Sequence, residues 1–117
     1  MILGGIGGAV IAALAGPGVA SVPTWRPDAN TIARIESKLV LPDGAHVLAH
    51  YERWYAGEVV NGRKVIEGRF LWSRRPFIRI VAPEKLPVNK DGGCDFVDLT
   101  YDVKDDKISA IACHGWG

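Results

Sequence analysis

Residues 51–72 read YERWYAGEVVNGRKVIEGRFLW, and the rest of the fold is built around them. Asn61-Gly62 is the strongest short hairpin signal in the chain, because both central positions of a type I′ turn require a positive φ. A hairpin centred there pairs Val59 with Lys64 and Tyr51 with Trp72. One face then collects the predicted core residues Tyr51, Tyr55, Val59, Ile66, Phe70 and Trp72. The other face carries mostly charged side chains and is predicted to be solvated.

A second hairpin is predicted near the C-terminus. Residues 96–103 alternate apolar and polar side chains, residues 104–107 have the composition of a turn, and residues 108–113 form the returning strand. Pairing Asp102 with Lys107 across this turn places Cys113 opposite Phe96.

That register brings the two cysteines together. Cys94 lies two residues before Phe96, and Gly92-Gly93 is expected to take up the remaining offset as a bulge. We therefore predict a Cys94–Cys113 disulfide that closes a loop of about 20 residues. A metal site or a catalytic thiol is the alternative, but His114 is the only other ligand nearby and the chain has no CxxC motif.

The remaining elements complete a small domain. Asp28 is a candidate N-cap, and Ile32, Ile35 and Leu39 follow it at helical spacing. Residues 77–81 form a further short strand. The prediction is a single α+β domain over residues 28–117, a small antiparallel β-meander with one covering helix, joined by a linker over residues 21–27.

An apolar leader precedes this domain. The first 24 residues contain no charged side chain, whereas the whole chain has 14 Lys and Arg and 13 Asp and Glu. Residues 1–20 are predicted to be a signal peptide cleaved between Ala20 and Ser21. The alternative is an uncleaved membrane anchor over residues 2–22. The first reading makes the domain periplasmic or secreted, and the second holds it at the inner membrane, facing the periplasm.

Charge is unevenly distributed although the net charge is only +1. Residues 53–79 contain seven basic and two acidic side chains, and residues 91–106 contain six aspartates and one lysine. Basic and aromatic residues interleave in the first segment, which suggests a surface for an envelope protein or an anionic envelope component. The candidate residues are Arg69, Trp72, Arg74, Arg75, Arg79 and the C-terminal Trp116. Alternatively, the two segments neutralise each other across one sheet. Export argues against nucleic acid as the partner.

No motif points to catalysis. The chain lacks GxSxG, HExxH and a phosphate-binding GK[ST] sequence. His46 and His50, four residues apart, are weak candidates for metal ligands. The chain is therefore predicted not to be an enzyme, and no cofactor is predicted.

Several short motifs resemble a known group of proteins. They are YERWY at 51–55, GRF at 68–70, LP at 86–87, DGGC at 91–94, YD at 101–102 and the late Cys113. Over roughly residues 32–114 the chain is similar to small uncharacterised exported proteins of alphaproteobacteria, of the sphingomonad type. The resemblance implies a periplasmic or secreted, disulfide-linked small domain and no particular activity. The ending His114-Gly-Trp-Gly117 differs from the Asn-Gly ending that the group leads us to expect.

Three functional hypotheses follow. The first is a non-catalytic periplasmic or secreted module that binds or assists an envelope component. The second is a single-pass, membrane-anchored small subunit of a larger envelope complex. The third is a small hydrolase or metal-binding protein, which only the two histidines motivate.

Overall fold

The computed structural model describes residues 25–88 and 91–115. The predicted leader over residues 1–20, its cleavage between Ala20 and Ser21, and Trp116 lie outside the described residues. Within the described part of the chain, no helix has the length and apolar character that crossing a membrane requires.

Over the described residues, one α-helix and five strands form the domain, so the α+β prediction is confirmed. Helix α1 spans Ala29–Lys38, and the strands are β1 (Tyr51–Val60), β2 (Arg63–Trp72), β3 (Ile78–Ile80), β4 (Phe96–Asp102) and β5 (Lys107–Cys113). They build a single sheet in the order β3-β1-β2-β4-β5. The helix packs its apolar side on one face of this sheet, and we call the opposite side the open face.

The helix begins as its sequence predicts. Asp28 is the N-cap, and its Oδ1 accepts a hydrogen bond of 2.8 Å from the backbone N–H of Thr31. This bond satisfies one of the N–H groups that the first turn leaves without a helical partner. Ile32 and Ile35 are buried against the sheet, as their spacing requires.

The first hairpin has the predicted register. Val59 faces Lys64 and Tyr51 faces Trp72, and the turn residues Asn61 and Gly62 have φ values of 51° and 76°. Of the six predicted core residues, Tyr51, Tyr55, Ile66 and Phe70 are fully buried. Trp72 lies on the same face but stays 50% exposed, because it ends β2 at the margin of the sheet.

The second hairpin forms, but its bulge is not where the sequence suggested. Asp102 pairs with Lys107 as predicted, whereas Cys113 faces Val97 instead of Phe96. The register shifts because β5 inserts Ser109 between the residues that face Tyr101 and Thr100. Ser109 Oγ then donates a hydrogen bond to the Thr100 carbonyl. Cys94 therefore precedes the residue that faces Cys113 by three positions, and a 3₁₀ turn over Gly93–Asp95, entered through the positive φ of Gly92 and Gly93, brings it back to Cys113.

The prediction of a purely antiparallel meander is wrong at β3. This strand pairs in parallel with β1, with Trp54 facing Arg79, so the sheet is mixed. β4 pairs with the edge of β2 that faces away from β1, so β3 joins the sheet on the other side of β1. The connection over residues 73–77 therefore passes the start of β1. A connection of this length easily spans the roughly 10 Å between alternate strands.

The end of the predicted linker is packed on the domain. The Trp25 ring lies against Gly57, where an added Cβ would come within 2.5 Å of the Trp25 backbone oxygen. Trp25 Nε1 donates a hydrogen bond of 2.9 Å to the Glu58 carbonyl, and Pro27 is buried. The structured domain therefore includes residues 25–27.

Candidate functional site

The open face carries a row of aligned side chains across three strands. In the register of the sheet, Trp54 of β1 lies between Arg79 of β3 and Arg69 of β2. All three residues share one face because facing residues of neighbouring strands point to the same side. The row brings together two of the arginines that the sequence proposed, with a tryptophan that it did not propose.

Arg79 is stacked on aromatic rings. Its guanidinium carbon lies 4.5 Å from the centre of the Phe77 ring and 5.4 Å from the Trp54 ring, and the two rings meet edge to face. Such cation–π contacts hold a guanidinium flat and contribute about 0.5–1 kcal/mol each at exposed sites. Arg79 is thus oriented by its neighbours before any ligand arrives.

Two further arginines lie beside this stack in the connection from β2 to β3. Arg74 and Arg75 are exposed, whereas the connection itself is anchored. Ser73 N–H donates to the His50 carbonyl at 3.0 Å, and Ser73 Oγ accepts from Arg75 N–H at 3.0 Å. The backbone is tied down while both guanidinium groups are presented to solvent.

We call the five residues Arg74, Arg75, Phe77, Ile78 and Arg79 the arginine edge, because β3 is an edge strand of the sheet. Over the described residues, no carboxylate oxygen lies within 4.0 Å of a side-chain nitrogen of Arg74, Arg75 or Arg79. The nearest acidic side chain on the open face of β1 is Glu52, whose Oε1 accepts a hydrogen bond of 3.2 Å from Trp54 Nε1.

Arg69 belongs to the same row but has a different environment. It lies 3.7 Å from Glu67 and 3.4 Å from Asp98, so its charge is balanced inside the sheet. Burial raises the pKa of Glu67, whereas the hydroxyl of Thr100, which donates to both carboxylate oxygens, and the charge of Arg69 act in the opposite direction. Of the proposed surface, Arg69 is therefore the arginine least available to a ligand.

Trp72 lies on the opposite face of the sheet from Arg79. It lies on the helix side, where the His46 ring stacks on it at 4.9 Å between centroids with an interplanar angle of 16°. His46 Nε2 lies 2.8 Å from Asp95 Oδ1. The structure thus places Trp72 near the disulfide end of the sheet, away from Arg79.

His46 and His50 lie in different local environments. His50 ends a short 3₁₀ turn over Leu48–His50, and His46 lies in the preceding loop with Asp95 as its partner. Among residues 25–88 and 91–115, no group of three or more His, Cys, Asp and Glu side chains is arranged to hold a metal ion.

The predicted disulfide between Cys94 and Cys113 is present. The surrounding loop is held by Tyr51, whose hydroxyl donates to the Cys94 carbonyl and accepts a bond of 3.1 Å from His46 N–H. Burial raises the pKa of this tyrosine. The bridge and these bonds close the end of the sheet opposite the β4–β5 turn.

A partly buried polar cluster beneath the helix escaped the sequence analysis. Tyr55 Oη donates a hydrogen bond of 2.9 Å to Glu36 Oε2, and Arg53 Nε lies 3.5 Å from the same oxygen. The side chains of Glu36 and Arg53 are each only 15% exposed. Burial, followed by the charge of Glu36, raises the pKa of Tyr55 well above its usual range. The alternation of β1, which puts Arg53 on the core face, was the signal that could have revealed this cluster.

The cluster borders an apolar groove between the helix and the edge of the sheet. The groove has a volume of about 380 Å³ and is lined by Ala29, Ile32, Ala33, Glu36, Ile78 and Ile80. Ile78 therefore contributes to the groove on one side of β3, and Arg79 to the open face on the other.

Comparison with known proteins identifies no relative. No family model matches the chain, and no curated protein or solved structure is significantly similar to it. The function must therefore be argued from the geometry.

Proposed function

We propose that the chain is a non-catalytic, exported binding module that engages an anionic component of the cell envelope through its arginine edge. The observation that carries this proposal is the state of Arg79. It is stacked on Phe77 and Trp54, flanked by the exposed Arg74 and Arg75, and has no carboxylate within ion-pair distance among the described residues.

The chemistry of arginine supports an anionic ligand. A guanidinium presents a planar fork of N–H donors that matches phosphate and carboxylate oxygens. Because the aromatic rings already orient Arg79, binding loses less side-chain entropy there than at a free arginine. The positive charges of Arg74, Arg75 and Arg79, which have no ion-pair partner among the described residues, also raise the local concentration of anions at this edge.

The same chemistry supports binding in preference to catalysis at this edge. Arginine stays protonated in proteins, so none of the three guanidinium groups can act as a general base. Phe77 and Ile78 offer only apolar surface. The arginine edge is suited to hold a negatively charged group without transforming it.

Export is supported by the Cys94–Cys113 disulfide, because such bonds persist in oxidising compartments. We expect the native protein to begin at Ser21. Mass spectrometry of the protein purified from an envelope preparation measures this directly, and detection of residues 2–20 would favour the anchored alternative.

The binding function is tested by co-sedimentation of the purified native protein with two separate envelope fractions, membranes and peptidoglycan sacculi. We expect binding to one of them that falls about tenfold when Arg74 and Arg75 are both replaced by Gln, with a steep loss at high salt. The matched control is K104Q/K107Q, which removes two exposed charges from the β4–β5 hairpin at the other end of the sheet. Equal loss in both variants, or no loss in either, would overturn the proposal.

A further inference from the structure

We infer that the arginine edge docks on the surface of a bilayer that contains anionic phospholipid. The inference rests on the proposed function and narrows its ligand to a lipid headgroup presented at a membrane surface. The arginine edge is the part of the molecule where exposed basic and apolar side chains lie on the same strand and its connection.

The edge strand β3 carries exposed apolar and basic side chains on its two sides. Ile78 is 47% exposed on the helix side of the strand, and Arg79 and Phe77 lie on the open face. Arg74 and Arg75 project from the adjoining connection. Apolar and aromatic side chains flanked by arginines are typical of segments that lie in the interfacial region of a membrane.

The segment of chain that contains the edge has charges of one sign. Residues 70–83 contain three arginines and no acidic side chain. An anionic leaflet attracts such groups, with about 1 kcal/mol for each basic residue close to the surface. Three arginines therefore contribute about 3 kcal/mol, insertion of Ile78 adds to this, and the attraction requires low or moderate salt.

Sugar stacking is a less suitable mode of binding. Trp54 and Phe77 are the aromatic side chains of the open face near the edge, and Arg79 lies over both rings. A sugar would have to displace the guanidinium to stack on them. A ligand that approaches these rings therefore meets the positively charged guanidinium plane of Arg79 and not an uncovered aromatic ring.

Addition of a partner strand is also disfavoured. β3 is only three residues long, and the carbonyl of Ile80 already accepts a hydrogen bond of 3.0 Å from Arg26 Nη1. An added strand gains affinity from a continuous row of backbone hydrogen bonds, and this edge provides very few. A surface that attracts through charge and shallow insertion fits the edge better.

The experiment is flotation of the purified native protein with vesicles of phosphatidylcholine alone or with about one third phosphatidylglycerol. We expect binding only to the anionic vesicles. R74Q/R75Q should weaken it about tenfold, and Ile78→Ser should weaken it severalfold by removing the inserted side chain. K104Q/K107Q should bind as the native protein does. Circular dichroism and thermal melting check that all variants are folded.

Free glycerol 3-phosphate, added as a competitor, separates the bilayer from its headgroup. Failure of this small anion to displace the protein at millimolar concentration supports a membrane surface, whereas full displacement identifies a soluble phosphate site and overturns the inference.

The two proposals fail in different ways. Arginine-dependent binding to sacculi or envelope membranes without binding to anionic vesicles overturns the bilayer inference and leaves the proposed function intact. Absence of arginine-dependent binding to every fraction overturns both.

Discussion

The acidic segment at residues 91–106 and the basic segment at residues 53–79 carry opposite charge, yet they are neutralised to very different extents. Five of the six aspartates have a cationic or imidazole partner. The contacts are Asp95 with His46, Asp98 with Arg69 and His114, Asp102 and Asp105 with Arg63, and Asp106 with Arg34 and Lys38. In the described part of the basic segment, the three arginines of the arginine edge have no such partner.

This difference separates charges that serve the fold from charges that are available to a ligand. Among the residues that the structure describes, only Arg63 and Arg69 of the basic segment reach the acidic one, whereas Arg53 pairs with Glu36 of the helix. Mutual neutralisation of the two segments is therefore partial. The positive charges that remain without a partner lie on the edge strand β3 and on the connection that leads to it.

The largest change is expected from removing the covalent link at the acidic end. Replacing Cys94 and Cys113 by Ala should lower the free energy of unfolding by about 3 kcal/mol, because the open loop gains conformational freedom in the unfolded state. Urea unfolding measures the change. Adding reductant to the native protein should reproduce it, and the double variant should not respond to reductant. A loss below about 1 kcal/mol would show that the hydrogen bonds around Tyr51 hold this end without the bridge.

A somewhat smaller loss of stability is expected at Arg53, the arginine of the basic segment that pairs with the helix. Glu36→Gln removes the charge that compensates the partly buried Arg53 guanidinium. It should lower the free energy of unfolding, measured with urea, by about 2 kcal/mol. The double variant E36Q/R53M should recover most of this loss, because it removes both charges and still leaves the Tyr55 hydroxyl an acceptor at position 36. Equal destabilisation in the single and double variants would show that shape, and not charge, determines the effect.

The acidic end should also control stability at low pH. A backbone N–H from Asp105 and the Arg63 side chain lower the pKa of Asp102, and Lys38 lowers the pKa of Asp106. A carboxyl with a lower pKa in the folded state stabilises the fold above its unfolded pKa of about 3.9, and this contribution is lost as the pH falls through the folded value.

The urea concentration at the midpoint of unfolding should therefore decrease as the pH is lowered from about 5 to about 2. This decrease should be smaller in D102N/D106N than in the native protein. Asp91→Asn is the matched control, since this exposed aspartate has no cation within 4.0 Å over the described residues. A native-like acid response in D102N/D106N would assign the effect to other carboxyls.

The smallest effect on stability is expected at the arginine edge. R74Q/R75Q should change the free energy of unfolding by less than about 0.5 kcal/mol, because neither side chain makes an ion pair in the described structure. Arg63→Gln should lower the urea midpoint more than this double variant, since Arg63 holds both Asp102 and Asp105. Reversal of that order would remove the distinction between the two segments.

Local features were predictable because their causes are local. The Asn61-Gly62 turn fixes the register of the first hairpin through two positive φ values, and Asp28 defines the start of the helix through a bond three residues away. The disulfide followed from the pairing of β5, which ends at Cys113, with β4, which begins two residues after Cys94.

Features that depend on distant neighbours were not predictable. A glycine pair is the more obvious place for a bulge, yet β5 inserts Ser109, whose hydroxyl bonds to Thr100. The side of the sheet that β3 joins depends on which edge of the hairpin β4 has left free. Alternation placed Trp72 with the core but could not show that its partner is His46.

The sequence by itself determined the two hairpins, the capped helix, the cysteine pair and the excess of positive charge in residues 53–79, since turn chemistry, alternation and composition act over short distances. Only the tertiary structure decided which of those charges remain uncompensated. Charge balance depends on the strands that lie next to each other, and the mixed pairing of β3 carries Arg79 onto Trp54 and away from the aspartates. The candidate binding surface is therefore a consequence of topology, although every residue in it is visible in the sequence.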